Sequence, residues 1–197
     1  MDIDIDFANR TDILNLIKHI PASIVDKNKN YKKHNTGVYF QDIPVNPLSK
    51  SASIDYKEAA SRGYFKLDFL NVSLYKHIKS NEQLEELMYK TPDWSKLKNR
   101  EYFEKLIHIN AHYHVYMNLP EPIDNVEKMA MFLALIRPGK RHLQGQTWDK
   151  VSKTIWDKND TDGYIFKKPH AISYAYLVIV NMNLLDQNQL DLEDLTS

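Results

Sequence analysis

The first seven residues, Met1 to Phe7, read MDIDIDF, and from Asp2 onward they alternate acidic and apolar side chains without a break. This alternation is typical of a β-strand, because successive side chains of a strand point to opposite faces. Each face therefore collects three side chains of one kind: Ile3, Ile5 and Phe7 on the first, and Asp2, Asp4 and Asp6 on the second. We predict a strand with one apolar and one acidic face.

A second predicted strand, Tyr64 to Phe69, carries another acid in an apolar run. Lys66 and Asp68 are two positions apart and share a face of this strand. Because a buried carboxylate needs a partner, we expect Asp68 to meet a cation or a metal ion.

Two interpretations of these carboxylates follow from the pattern. Carboxylates about 7 Å apart along a strand repel each other unless a cation lies between them. Enzymes use pairs of divalent ions, bridged by such carboxylates, for phosphoryl transfer. The alternative is an exposed acidic edge strand whose charges discourage aggregation. The sequence pattern leaves both interpretations open.

The rest of the chain predicts an α/β (α+β) fold with a small mixed sheet followed by a helical half. Before the second strand we expect a helix that ends at Pro21, a basic loop over residues 26–36 and a short strand from Gly37 to Gln41. We expect one compact domain over residues 1–186, with the sheet in 1–70 and helices in 71–186, and a flexible tail over 187–197. The predicted helical segments are 72–90, 95–117, 124–136, 147–157 and 169–186.

The composition excludes several classes of protein. The 197 residues include no cysteine, which excludes disulfide scaffolds, thiolate-ligated zinc and cysteine nucleophiles. Lys plus Arg and Asp plus Glu both number 26, so a basic coat for nucleic acid is not expected, although local basic patches are. No apolar run reaches the ~18 residues of a membrane span, and the N-terminus does not resemble a secretory signal. We therefore expect a cytoplasmic protein that has no membrane partner.

Histidines and basic residues suggest two further kinds of site. His108 and His112 have the i,i+4 spacing of zinc ligands on a helix, but no HExxH motif is present, so a structural or nucleic-acid contact is the other interpretation. Basic residues cluster at three places, which either track a phosphate backbone or lie in solvated loops: Lys27, Lys29, Lys32 and Lys33; Arg137, Lys140 and Arg141; Lys167 and Lys168.

Five segments of the chain resemble, in the same order, motifs of the C-family replicative DNA polymerases, the bacterial polymerase III alpha subunit. Residues 1–7 resemble the family's PDxDxDF motif, 33–38 (KHNTGV) its KHAGGV segment, and 65–70 (FKLDFL) its KxDFLG strand. Residues 134–139 (ALIRPG) resemble ALxRPGP, and 163–175 resemble GYxFNKSHAxxYA. The resemblance covers the chain from Asp2 to about Leu185.

The resemblance implies a nucleotidyltransferase palm sheet with a fingers-like half, and it implies roles for individual residues. Two Mg²⁺ ions, or Mn²⁺ in their place, would be held by Asp2, Asp4 and Asp68, with Lys66 in the catalytic cluster. The nucleotide would be bound by residues that match the family's segments: Arg137, Lys168, His170, Lys33 and His34. The implied reaction is two-metal phosphoryl transfer in DNA replication, with a DNA primer-template and deoxynucleoside triphosphates as substrates.

The family is several times longer than this chain, and its Gly-Arg-Gly-Ser triphosphate segment precedes the first Asp motif. We therefore expect a second polymerase fragment or a replisome protein as partner. Compaction of this kind is favoured by small genomes such as those of phages, which would place the protein in the bacterial host's cytoplasm. The alternative is a non-catalytic, polymerase-derived accessory protein that binds nucleic acid or the replisome.

Overall fold

The computed structural model describes residues 3–157 and 166–187, which belong to two compact units, Met1–Lys76 and His77–Ser197. The first unit contains a four-stranded mixed sheet, and the second is built from helices. The predicted α+β class is confirmed. Asp2 and the predicted tail from residue 188 onward lie outside the described residues.

Among its described residues the N-terminal unit contains six strands and α-helices, in chain order: β1 (Ile3–Phe7), α1 (Arg10–Leu16), β2 (Ile20–Val25), β3 (Tyr31–Tyr39), α2 (Tyr56–Ser61) and β4 (Leu67–Asn71). The strands are ordered β1-β4-β3-β2 across the sheet. β1 and β4 are parallel, whereas β3 is antiparallel to both of its neighbours. Asn9 caps α1, because its side chain accepts a hydrogen bond from the Thr11 amide. The chain therefore passes from β1 into α1, which forms the connection to β2.

The structure differs from the sequence prediction around β2 and β3. Helix α1 ends at Leu16, and Pro21 lies within β2 rather than ending a helix. β2 is an edge strand, where the missing amide hydrogen of a proline is tolerated. Residues 31–36, predicted as loop, belong to β3.

A wide bulge interrupts β3 and explains why its sequence resembles a loop. The pairs Pro21–Val38 and Ser23–Lys33 enclose one residue of β2, Ala22, and four residues of β3, 34–37. Bulges break the regular alternation of side chains and are frequent beside functional sites. This one frees His34 and Thr36 from the regular pleat.

The two faces of the sheet have different coverings. On the apolar face, the Phe69 ring lies 4.7 Å from Phe7 and 5.8 Å from Phe40, measured between centroids. The opposite face includes a small buried cluster formed by β2, β3, α2 and the intervening loop: Ala22, Tyr39, Ile43, Ala52 and Ala59. Asp68 pairs with Gly37, two residues before Tyr39, so the acidic face is continuous with this buried cluster.

The C-terminal unit contains six α-helices among its described residues: α3 (Asn81–Tyr89), α4 (Arg100–Phe103), α5 (Tyr113–Met117), α6 (Val126–Leu135), α7 (Trp148–Thr154) and α8 (Lys168–Asp186). 3-10 helices cover Trp94–Lys98, Asn110–His112 and Pro138–Leu143, and another, Ser73–His77, spans the boundary between the units. The core lies around α6, which is buried from Met129 to Leu135 and packs against α8.

Two buried asparagines on α8 bind backbone groups of other elements. Asn183 Nδ2 donates to the carbonyls of Leu87 (2.8 Å) and Lys90 (2.9 Å), at the C-terminal end of α3. Asn181 Oδ1 accepts from the Ile107 amide at 2.8 Å. Because helix-terminal carbonyls lack partners within their helix, Asn183 supplies two of the bonds that α3 cannot make itself.

We predict that Asn183→Ala lowers the free energy of unfolding by about 1–3 kcal/mol, because it leaves the buried carbonyl of Leu87 and the partly buried carbonyl of Lys90 without their donor. Urea denaturation followed by circular dichroism measures the change. Asn118→Ala is the control, since Asn118 also donates to a carbonyl, that of His114, but at an exposed position; it should cost less than about 0.5 kcal/mol. Equal losses in the two variants would contradict the prediction.

Candidate functional site

Two of the predicted metal-binding carboxylates lie side by side on the sheet. In the parallel β1–β4 ladder Asp4 is the register partner of Asp68. Register partners of a parallel pair point to the same face, and their strands are about 4.8 Å apart. Asp4 is exposed on the edge strand, whereas Asp68 is buried with 8% of its surface accessible. The pairing therefore joins an exposed and a buried carboxylate on one face.

Both oxygens of the Asp68 carboxylate accept hydrogen bonds. Lys66 Nζ donates to Oδ2 and forms an ion pair with it, and the Thr36 hydroxyl donates to Oδ1 at 2.7 Å. Burial raises the pKa of Asp68, but the hydrogen bonds from Lys66 and Thr36, together with the charge of Lys66, outweigh burial, so the pKa of Asp68 lies below its ordinary value. Asp68 is therefore ionised at neutral pH.

The absence of a side chain at Gly37 leaves room for the Lys66 side chain to reach Asp68. A Cβ atom at position 37 would lie 2.7 Å from Lys66 Cδ and 3.1 Å from both Ala22 Cβ and His34 Nδ1. Since Lys66 keeps only 12% of its side chain exposed, it has little room to move aside. Glycine at position 37 therefore permits the Lys66–Asp68 pair to form beneath the bulge.

His34 is held as a neutral ring with a defined tautomer. The Gly37 amide donates to His34 Nδ1 at 2.9 Å, and the Thr36 amide donates to the same atom at 3.3 Å. Nδ1 is thus an acceptor, and the ring proton lies on Nε2. Burial and the charge of Lys66 lower the pKa of His34. Although His34 Nδ1 is 3.7 Å from an Asp68 oxygen, a neutral ring forms no ion pair with it.

Asp6 continues the acidic face and is half-buried. Its pKa is raised by burial and by the negative charge of Asp4, while a hydrogen bond from Tyr75 opposes the shift. The effect of Asp4 is the repulsion expected between like charges on one strand face. A cation bound to this face would relieve that repulsion.

Arg10 fastens the bulge of β3 to β4. Its Nη1 donates to the carbonyl of Asn35 in the bulge and, at 3.1 Å, to that of Phe69 on β4. Its backbone amide donates to Asn71 Oδ1 at 2.7 Å. The first turn of α1 therefore joins the two strands that carry Thr36 and Asp68.

The donor set of this face suits a hard divalent cation in part. Carboxylate oxygens are the ligands that Mg²⁺ and Mn²⁺ prefer, and Asp4 and Asp68 offer them in register. Within residues 3–157 and 166–187, however, no three acidic or histidine side chains come together as a metal-binding group. Asp68 Oδ2 is also engaged by Lys66. A metal ion at Asp68 would therefore require Lys66 to withdraw.

The predicted nucleotide-binding residues lie in both units. In the N-terminal unit His34 contacts the acidic cluster, whereas Lys33 is exposed and pairs with Ser23 in the β2–β3 ladder. In the C-terminal unit the Arg137 guanidinium lies 4.6 Å from the Phe166 ring centroid. Lys168 is the exposed first residue of α8, and His170 is half-buried two positions later.

The helical zinc spacing of His108 and His112 is not realised. His108 has a φ of 65°, in the left-handed region, and lies outside the helices, so the two rings do not share one helix face. The His108 ring instead packs 4.5 Å from that of Tyr174. Burial, followed by the charge of Arg137, lowers its pKa to about 4. His108 is therefore a neutral aromatic contact.

Three contributors to the site were missed in the sequence: Thr36, Arg10 and Tyr75. Thr36 lies inside the segment 33–38, but its contact with Asp68 depends on the bulge of β3, which the periodicity of the sequence does not predict. Arg10 and Tyr75 are distant in the sequence from the residues that they contact. A search for cations and hydroxyls at the ends of the predicted strands would have found both.

We predict that Lys66→Met raises the pKa of Asp68 above its ordinary value, since the burial of Asp68 is then opposed mainly by Thr36. In the unmodified protein the lowered pKa stabilises the fold above about pH 3.8, and this stability is lost as the pH falls through the folded pKa. In Lys66→Met the sign reverses, and stability falls as the pH rises from about 3.8 through the raised pKa.

A ¹³C NMR titration of the side-chain carboxyl carbon of Asp68 measures this pKa, and urea unfolding at several pH values measures the free energy of unfolding. Lys32→Met is the matched control, because Lys32 pairs with Asp26 at 2.9 Å on the surface with 66% of its side chain exposed. The control should leave the Asp68 titration unchanged. An Asp68 pKa that stays below its ordinary value in Lys66→Met would refute the assignment.

Comparisons of the chain with protein-family models, with curated proteins and with solved structures found no match. Among the described residues, no helix is long and apolar enough to cross a membrane.

Proposed function

We propose that the protein is a palm-type nucleotidyltransferase of the C-family DNA polymerase kind, which transfers nucleotides together with a partner chain. The observation that carries the proposal is the register pairing of Asp4 with Asp68, beside Lys66, on one face of a mixed sheet. Two carboxylates on neighbouring strands with a cation beside them suit the recognition of phosphate and divalent ions.

The spatial arrangement of the motifs gives independent support. Three segments that resemble C-family motifs contribute residues to adjacent strands of the sheet: 3–7 form β1, 33–38 lie in β3, and 67–70 lie in β4. These segments are far apart in the sequence, and nothing in their order requires them to meet. Their convergence around Asp68 is what a shared catalytic role would require.

The proposed cofactor is Mg²⁺, with Mn²⁺ as a substitute. Asp4 and Asp68 would hold it, and Asp2, outside the described residues, is the third proposed ligand. When bound, divalent ions of this kind lower the pKa of a primer hydroxyl and stabilise the charge on the phosphates.

The chain's own residues supply charge and orientation. Lys66 would release Asp68 and neutralise phosphate charge, which frees the Oδ2 atom as a ligand. Thr36 keeps its bond to Oδ1 and holds the carboxylate in place. His34, with its proton on Nε2, can donate a hydrogen bond but cannot act as a cation at neutral pH.

The proposed substrates are a DNA primer-template and deoxynucleoside triphosphates. Arg137, Lys168 and His170 are proposed nucleotide contacts from the C-terminal unit. The triphosphate grip needs backbone amides in a fixed arrangement, and we propose that a second polymerase fragment or a replisome protein provides it. The proposed compartment is the cytoplasm, that of the bacterial host if the gene belongs to a phage.

One observation favours a second candidate, a non-catalytic accessory protein that binds nucleic acid or the replisome. Both Asp68 oxygens are satisfied within the chain, by Lys66 and Thr36, so the cluster is stable without a metal ion. In a relic of a polymerase the same ion pair would serve only to secure β4 and β3. The two candidates differ in whether Lys66 exchanges its partner.

We predict that Mn²⁺ binds the full chain with a dissociation constant in the micromolar to millimolar range and that Asp4→Asn weakens binding at least about tenfold, a loss of about 1.4 kcal/mol. Isothermal titration calorimetry measures the affinity. Asp42→Asn, which removes an exposed acid from the same unit, is the control with the same change of charge.

A nucleotide-incorporation assay with a primed template, with and without the partner, completes this test. Incorporation that disappears in Asp4→Asn and persists in Asp42→Asn supports the catalytic proposal. Absence of Mn²⁺ binding in the unmodified chain, or equal binding by the two variants, would favour the accessory protein.

A further inference from the structure

A small cleft in the C-terminal unit is lined by basic side chains and has no carboxylate in its wall. Its volume is about 290 Å³, and it lies between α5 and the 3-10 helix Pro138–Leu143. Six residues line it: His112, His114, Val115, Ile136, Arg141 and Gln144. Val115 and Ile136 are buried and apolar, while His114 and Arg141 are exposed. The cleft thus combines an apolar base with an exposed basic rim.

The charges around the cleft are of one sign. Burial lowers the pKa of His112, and the neighbouring His114, Arg137 and Arg141 lower it further, with no carboxylate acting in the opposite direction. In the described part of the chain, no ion pair within 4.0 Å joins a carboxylate to these side chains. The buried Arg137 Nε atom also has no hydrogen-bond partner there. The cations at and beside the cleft are therefore Arg141 and Arg137, while the lowered pKa makes His112 a neutral donor. Two guanidinium groups without a carboxylate partner among the described residues attract an anion.

The wall of the cleft is held in place before any ligand binds. Gln144 Nε2 donates to the Leu135 carbonyl at 2.9 Å, so the end of the 3-10 helix is tied to α6. The rings of His112 and His114 lie 6.2 Å apart, measured between centroids. The N–H groups of these rings and of Arg141 are donors that suit an anion with several oxygen acceptors.

The size of the cleft selects the kind of anion. Pockets that enclose whole small-molecule ligands have volumes of about 300–1,000 Å³. This cleft is at the lower limit, so it suits one small anionic group of a larger ligand, and the rest of that ligand would lie outside the cleft. The Arg137 guanidinium lies 4.6 Å from the centroid of the half-buried Phe166 ring. This ring stacks with the half-buried Tyr174, with centroids 5.9 Å apart and 16° between their planes. Basic side chains beside aromatic rings are the combination that single-stranded nucleic acids recognise.

We propose that this cleft binds a backbone phosphate of a single-stranded nucleic acid, with Arg141, His112 and His114 as the residues that contact the phosphate. The site is separate from the acidic face of the N-terminal unit, and it requires neither a metal ion nor catalysis. It would therefore serve a polymerase and a non-catalytic accessory protein alike.

The test measures fluorescence anisotropy of a labelled single-stranded oligonucleotide that lacks terminal phosphates, in EDTA, at 50 and 200 mM salt. We expect Arg141→Gln to weaken binding about tenfold and to reduce the slope of log affinity against log salt by about one, because one phosphate contact is lost. Arg141→Lys should restore most of the affinity. Lys153→Gln is the matched control, since it removes one exposed positive charge of the same unit that does not line the cleft.

Four outcomes would overturn the proposal. The first is an Arg141→Gln affinity equal to that of Lys153→Gln, and the second is competition by a poly-glutamate peptide as strong as that by the unlabelled oligonucleotide. The third is binding of inorganic phosphate or nucleoside triphosphate without binding of the oligonucleotide, and the fourth is no binding at all. His114→Gln, at another exposed position, is a second variant and should also weaken binding. Circular dichroism spectra and melting curves verify that every variant is folded. Since EDTA removes divalent ions, a failure here is distinct from a failure of the Mn²⁺ experiment.

Discussion

The parallel pairing of β1 with β4 is the constraint on which the N-terminal unit depends. It requires the chain to leave β1, build β2, β3 and α2, and return as β4 between β1 and β3. The same register that buries Phe69 beside Phe7 places Asp68 beside Asp4. A slip by one residue would send the acids to the apolar face, so sheet stability and the geometry of the acidic face are fixed together. Arg10 reinforces this arrangement by joining the bulge to β4.

The Lys66–Asp68 pair gives this constraint its functional meaning. A carboxylate with 8% of its surface accessible is stable only with partners, and Lys66 and Thr36 provide them. The pair therefore maintains the site in the absence of ligand. While the Lys66 ammonium group binds Asp68 Oδ2, it competes with a metal ion for that oxygen. It would leave the oxygen when it pairs with another anion. The ion pair thus supports the strand and competes with a metal ion for Asp68.

Much of the sheet could be predicted from its sequence, because the alternation in residues 3–7 follows the pleat of β1 and the apolar run around Asp68 follows the burial of β4. The alignment of Asp4 with Asp68 could not, since register is set by contacts between distant strands. The segment 31–36 was predicted as loop because its polar side chains suit a bulge as well as a turn. The zinc spacing of His108 failed because a positive φ, invisible in the spacing, breaks the helix there. The basic cleft brings α5 together with the segment after Arg137, which only tertiary packing decides.

The most direct test of the central claim is a crystal structure of the full chain grown with MnCl₂, with anomalous diffraction recorded at the manganese edge. The catalytic account predicts an anomalous peak between the carboxylates of Asp4 and Asp68, with the Lys66 ammonium withdrawn from Asp68 Oδ2. A structure without such a peak, in which Lys66 still binds Asp68 at saturating Mn²⁺, would contradict it.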